Sequence, residues 1–153
     1  MQHLRTAKLA RWQIQLLSWS GGALWLTGIA WLLLHYFGRT RGAFGPETNP
    51  LEPWMLRFHG LAMVASLLGL GGLLVVHVWK GWSYRHQRLV GTFLLATVGI
   101  LVVTGYLLYY VGDEELRSWV SLIHWLVGVL LPILFIVHYR RGRWLGRTSP
   151  SGK

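Results

Sequence analysis

The chain of 153 residues has no cysteine. That excludes disulfides, cysteine-ligated iron–sulfur clusters and covalent c-type haem held through a C-x-x-C-H motif. Charge is also scarce. Asp, Glu, Lys and Arg together make 13% of the residues, about half of what a soluble domain carries. Acidic residues are the scarcest, five against fifteen Lys and Arg, for a net charge of +10. In a soluble protein such an excess would point to nucleic acid. Here the basic residues stand at the edges of apolar segments, where they set orientation and meet anionic lipid headgroups, so no nucleic-acid partner is expected. No nicotinamide or flavin fingerprint follows a strand. Gly69-Leu70-Gly71-Gly72 lies within an apolar run and reads as helix packing, not as a phosphate loop. No Asp or Glu is expected inside a membrane helix, which argues against a proton pump with buried carboxylates.

What is present is apolar sequence, 53% of the chain, gathered into four runs at about 16–37, 56–79, 89–111 and 116–139. Each exceeds the roughly 20 residues a helix needs to cross a bilayer core. Helices are the expected form, since open strands would leave backbone groups unpaired in lipid. Arg5, Lys8 and Arg11 precede the first run as they would in a signal peptide. Its apolar part is too long and too rich in tryptophan for one, and no small-residue cleavage site follows, so it reads as a retained helix.

The first connection, with Gly45-Pro46, Asn49-Pro50 and Glu52-Pro53, reads as an irregular loop, with Pro53 placed just before a helix start. The second is short and basic. The third is short and acidic; Gly112 can end one helix and Asp113 can cap the next. Short links favour antiparallel neighbours. The expected fold is therefore all-α, an integral membrane antiparallel four-helix bundle forming a single domain over 1–145, with a mobile basic tail at 146–153. Eleven of the fifteen Lys and Arg fall in the N-terminal arm, the second connection and the stretch from Arg140 to Lys153. The positive-inside rule then puts both termini in the cytoplasm. Aromatic belts agree, with Tyr36, Phe37, Trp54, Tyr109 and Tyr110 toward the outer face and Trp12, Trp79, Trp82, Tyr84 and Trp144 toward the inner one.

Five histidines fall in or at the ends of these runs: His35, His59, His77, His124 and His138. His59 and His77 are 18 residues apart, five helical turns, and share a face. His124 and His138 are 14 apart, just under four turns. The second and fourth helices run in the same direction, so His59 meets the level of His124 near the outer face and His77 that of His138 near the inner one. Two histidines on facing helices supply the two axial ligands of a haem and leave no open position for oxygen, which favours electron transfer. Gly69, Gly71, Gly72, Gly91, Gly99, Gly105 and Gly128 would give room for the rings. Arg57 outside and Lys80, Arg85, Arg88, Arg140 and Arg141 inside could meet propionates. His35 and His86, at segment edges, also read as interfacial polar groups, and His3 as solvated. The two histidine spacings span about 27 Å and about 21 Å at the helical rise. Tilt or a bend near Pro132 must absorb the difference, or else His3 or His35 replaces one ligand of the second helix.

The thirteen residues between His124 and His138, and the His59-Gly60 start of the second helix, resemble bacterial di-haem cytochromes b. These include the membrane subunits of formate dehydrogenases and nickel–iron hydrogenases and the broader cytochrome b561-type four-helix group. The resemblance covers about residues 10–142. It differs from the hydrogenase-type subunits in that the first helix here has only His35, at its far end. The resemblance implies two bis-histidine haem b groups in a bacterial inner membrane. It implies electrons crossing between a quinone and a redox partner subunit or periplasmic cytochrome, an assembly compatible with oligomers. The residues themselves leave two other classes open: a haem-free membrane anchor or assembly subunit, and a transition-metal transporter. Met1, Met55 and Met63 form no soft-ligand path for the latter. A quinone site would need polar groups beside a haem edge. The outer side offers Glu47, Asn49, Glu52, Trp54, Arg57, Tyr109 and Tyr110, with His35 and Glu52 the expected hydrogen-bonding or proton-accepting pair.

Overall fold

A computed structural model describes residues 11–74 and 88–148. They form α1 (Arg11–Phe37), a two-stranded antiparallel ribbon of β1 (Thr40–Gly42) and β2 (Gly45–Glu47), then α2 (Glu52–Leu73), α3 (Arg88–Tyr110) and α4 (Glu114–Thr148). All four helices are long and apolar enough to cross a membrane, as the four apolar runs require. The chain is thus a multi-pass membrane protein by length and composition. The chain divides into two compact units, Met1–Trp79 and Lys80–Lys153.

In the first unit α1 and α2 run antiparallel. Gly69, late in α2, faces Leu16 and Leu17, early in α1; Gly72 faces Gln13; Gly28, late in α1, faces His59, early in α2. A Cβ on Gly69 would come 3.0 Å from Leu17 Cγ, so the absence of a side chain lets the two backbones close up. Small residues drive helix association in lipid, where apolar surface alone gives no preference for protein over tails. Ser20, Ala62 and Gly69 are accordingly among the buried residues. In the second unit α3 and α4 are likewise antiparallel: Gly91 faces His138, Leu101 faces Gly128, and Gly105 faces His124. Gly69, Gly72 and Gly128, expected to make room for a ring, thus serve packing inside their own units. Ser20, Thr27, Thr97 and Thr104 return their hydroxyls to the backbone four residues back, Ser20 to Leu16 at 2.6 Å and Thr97 to Phe93 at 2.8 Å. That satisfies them where water is absent.

The links differ from expectation in detail. The first is no irregular loop: Thr40 pairs with Glu47 and Gly42 with Gly45 in a tight ribbon. Gly45 takes φ 130°, a backbone region that favours glycine. α2 begins at Glu52 with a proline in its first turn, earlier than the apolar run suggested. Pro is well suited there because its missing N–H has no intrahelical partner to lose. Asp113 caps α4 as expected, its Oδ1 accepting from Leu116 N–H at 2.7 Å. α4 then continues through Pro132 to Thr148, beyond the expected end at 139 and into the segment read as tail. Residues 149–153 lie outside the described residues.

Candidate functional site

The first unit carries a polar seam where α1 meets α2. At its open end the Glu52 carboxylate accepts from His35 Nδ1 at 3.1 Å and from the Asn49 backbone N–H at 3.2 Å. Glu52 is buried, although it opens a helix. The sequence expectation of no carboxylate within the membrane helices is therefore corrected at the first turn of α2. The His35 ring stacks on Trp31 (4.7 Å between centroids, 15° between planes) and meets Tyr36 edge-on. Asn49 holds the corner: its Nδ2 donates to the Gly38 carbonyl at 2.8 Å and its Oδ1 accepts from Leu51 N–H at 3.0 Å. Glu52 reaches back to the Asn49 N–H and its own N–H donates to the Asn49 carbonyl at 3.0 Å, which ties the corner to the first turn of α2. The structure thus brings together the two residues expected to act as a pair, His35 and Glu52.

Seven residues separate His35 from Gly28 on α1, and seven separate Glu52 from His59 on α2. A step of seven is about 10 Å along a helix and returns to within about 20° of the same face. The His59–Gly28 contact therefore lies on the same seam as the His35–Glu52 pair, two turns deeper. His59 Nδ1 is 3.1 Å from Thr27 Oγ1. A Cβ on Gly28 would stand 3.3 Å from His59 Cε1, so the ring lies against α1 where the chain has no side chain.

The second unit repeats this arrangement. His124 Nδ1 is 2.8 Å from Thr104 Oγ1, and a Cβ on Gly105 would stand 3.3 Å from His124 Cε1. Thr27-Gly28 and Thr104-Gly105 are the only Thr-Gly dipeptides in the chain. Each lies opposite the histidine of the helix that follows. His138, 14 residues beyond His124, faces Gly91, whose added Cβ would be 3.8 Å from His138 Cε1; the residue before Gly91 is Val90, not threonine. Neither Thr27, Thr104 nor Gly28 was expected from the sequence. A threonine in an apolar run carries no signal until its antiparallel neighbour is known, although the repeated dipeptide was visible.

The remaining candidates are placed as follows. Arg57 is exposed and sets its guanidinium 4.7 Å over the Trp54 ring. Arg141 is exposed on the last part of α4. His77, with Lys80, Arg85, His86 and His3, lies outside the described residues. His59 belongs to the first unit, and His124 and His138 to the second. Among the described residues no three His, Cys, Asp or Glu side chains gather as a metal cluster; a bis-histidine haem needs only two ligands, one on each side of the ring. No family model, curated protein or solved structure matches the chain.

Proposed function

We propose that this protein is a transmembrane di-haem b-type cytochrome that moves electrons between a quinone and a redox partner, with both termini in the cytoplasm. The observation that supports it most is the shared setting of His59 and His124. Each imidazole lies against a glycine of the neighbouring helix and has its Nδ1 beside a threonine hydroxyl. Metal-binding histidines are oriented in this way, by a hydrogen bond on the nitrogen that does not face the metal. Imidazole with no thiolate or carboxylate cluster beside it among the described residues suits a low-spin haem iron and fits no closed zinc or calcium site.

Four spans that cross in alternation bring the start of α2 and the start of α4 to one side of the membrane. In the proposed assembly His59 and His124 ligate one haem near that side. His77 and His138 ligate a second near the other, with Arg57 and Arg141 as the nearest cations for propionates. Haem supplies a one-electron carrier without loss or gain of ligands. The protein's part is to hold the imidazoles in place and to keep water and oxygen from the iron.

Quinol oxidation releases two electrons and two protons. Glu52 is the proposed proton acceptor; supporting this, it is buried, held by His35 and Asn49, and about 10 Å along the seam from His59. The proposed quinone site is therefore the open end of the first hairpin. The packing roles of Gly69, Gly72 and Gly128 favour a second reading, a haem-free membrane anchor or assembly subunit. The absorption spectrum of the purified, reduced protein separates them. Sharp low-spin haem bands with two haems per chain are expected, and a colourless protein expressed with ample haem would overturn the cytochrome reading. Reporter fusions at Lys153 and within β1–β2 are expected to report opposite sides of the membrane; the same side would overturn the topology.

A further inference from the structure

We propose that Thr27 and Thr104 are positioning residues that hold His59 and His124 as Nδ1–H tautomers, so that Nε2 of each is the nitrogen presented to a metal. The geometry points to the direction of the two hydrogen bonds. A threonine hydroxyl has one proton to give. Thr27 Oγ1 gives its proton to the helix backbone, 2.7 Å from the Ala23 carbonyl and 3.1 Å from that of Leu24. Thr104 Oγ1 does the same, 2.7 Å from the Ile100 carbonyl and 3.3 Å from that of Leu101. With that proton committed, each oxygen can only accept from the imidazole, and Nδ1 must carry hydrogen. Nε2 is then the nitrogen with the lone pair.

The glycine beside each threonine completes the device. Gly28 and Gly105 let the ring approach the neighbouring helix closely enough for Nδ1 to reach the hydroxyl, because a Cβ at either position would press on Cε1 at 3.3 Å. Thr-Gly is thus one unit: the threonine sets the tautomer, and the glycine sets the ring's distance and plane. The same unit occurs once in each hairpin and opposite no other described histidine, since Val90 precedes the Gly91 that faces His138. Both proposed ligands of one haem therefore share a hydroxyl acceptor. An acceptor on Nδ1–H makes an imidazole a stronger donor to iron, so this haem should have the lower potential for that reason.

The purpose assigned to the tautomer rests on the cytochrome reading; the tautomer itself does not. The test uses the full-length protein as purified, with Thr27→Val and Thr104→Val, which keep the shape and remove the acceptor, and Thr27→Ser and Thr104→Ser, which keep it. Nitrogen NMR of protein labelled at histidine and stripped of haem reads the tautomer directly. His59 and His124 should show Nδ1–H in the wild type and the serine variants, and shift in the matching valine variant only. Redox titration of the haem-loaded protein should show one of two midpoints raised in either valine variant, with haem affinity lower by about tenfold or more. Valine variants with unchanged imidazole signals and midpoints, despite full folding, would overturn the proposal. A protein that takes up no haem yet shows the tautomer shift would overturn the cytochrome reading and leave the threonine role standing.

Discussion

The link between α1 and α2 covers residues 38–51, contains a β-ribbon and an asparagine hub, and leads into the buried carboxylate that opens α2; the link between α3 and α4 covers only 111–113 and is closed by one aspartate cap. Beneath these unlike links the two hairpins carry the same Thr-Gly unit against a histidine. What recurs is what a pair of axial ligands would need. What occurs once, the His35–Glu52 pair with its aromatic neighbours, is what exchange with a proton-carrying redox molecule would need. In the proposed electron carrier, two equivalent ligand walls would require only one door, and the proposed door is at the first hairpin.

Removing a histidine is expected to have the largest effect. His59→Ala and His124→Ala are each expected to lose the same haem, roughly half the bound total, while the second haem and its midpoint persist. Each loss leaves an apolar slot, so thermal stability in detergent should fall as well. The measurement is haem per chain together with a redox titration of the remainder. Variants that lose haems of different midpoints would show that His59 and His124 do not share one, and full retention in both would remove them as ligands.

Next in size is the difference between the links. Glu52→Gln keeps the shape and removes the proton-accepting charge; His35→Ala removes its partner at 3.1 Å. With haem content unchanged, quinol-driven reduction should slow by about a hundredfold in Glu52→Gln, the ordinary reach of a lost general base. Replacing Glu114 or Glu115, in the first turn of α4, should leave the rate unchanged. Equal slowing from both ends would erase the asymmetry argued above, and undiminished rates in both Glu52→Gln and His35→Ala would remove the site.

Much of the fold was legible because a membrane span needs only length and apolarity, and four runs supplied both. The ends were less so. Glu52 and Pro53 looked like loop because a carboxylate and a proline interrupt apolar sequence, yet a helix's first turn tolerates both. The fourth apolar run ended at 139 because the sequence beyond it is basic, though α4 runs on to Thr148. His35 and Glu52 were legible as a pair from their positions at facing segment ends. Thr27 and Thr104 were not. Their role exists only in the antiparallel register that sets residue 27 beside 59 and 104 beside 124, and no periodicity within one helix reports that register.

The glycine half of the repeated unit sharpens the comparison at a smaller scale. Gly28→Val and Gly105→Val add branched carbon where a Cβ alone would already stand 3.3 Å from the imidazole. Each should cost about 1–3 kcal/mol through overpacking and turn the ring off its hydroxyl. Gly71→Ala, where an added Cβ meets nothing within 4 Å, is the control within the first hairpin. Unfolding midpoints in detergent, read beside the histidine NMR signals, check both effects. If Gly28→Val is costly and Gly105→Val is neutral, the two hairpins are not equivalent at their histidines.

The smallest expected effect lies in the caps and contrasts the links themselves. Asp113→Ala removes one side-chain bond, to Leu116 N–H, and should cost about 1 kcal/mol, as a lost N-cap does. Asn49→Ala removes two side-chain bonds, from its Nδ2 to the Gly38 carbonyl and from Leu51 N–H to its Oδ1. One of these ties the end of α1 to the start of α2, so its loss loosens the corner that holds Glu52 against His35. About 1–3 kcal/mol is expected for two net hydrogen bonds, together with slower quinol-driven reduction that Asp113→Ala should not share. Hydrogen exchange locates the damage: faster exchange near Leu51 for Asn49→Ala, and near Leu116 for Asp113→Ala. An Asn49→Ala protein that keeps its quinol rate while losing stability would separate the corner's structural work from the chemistry proposed beside it, and would leave Glu52 and His35 able to act without the hub that positions them.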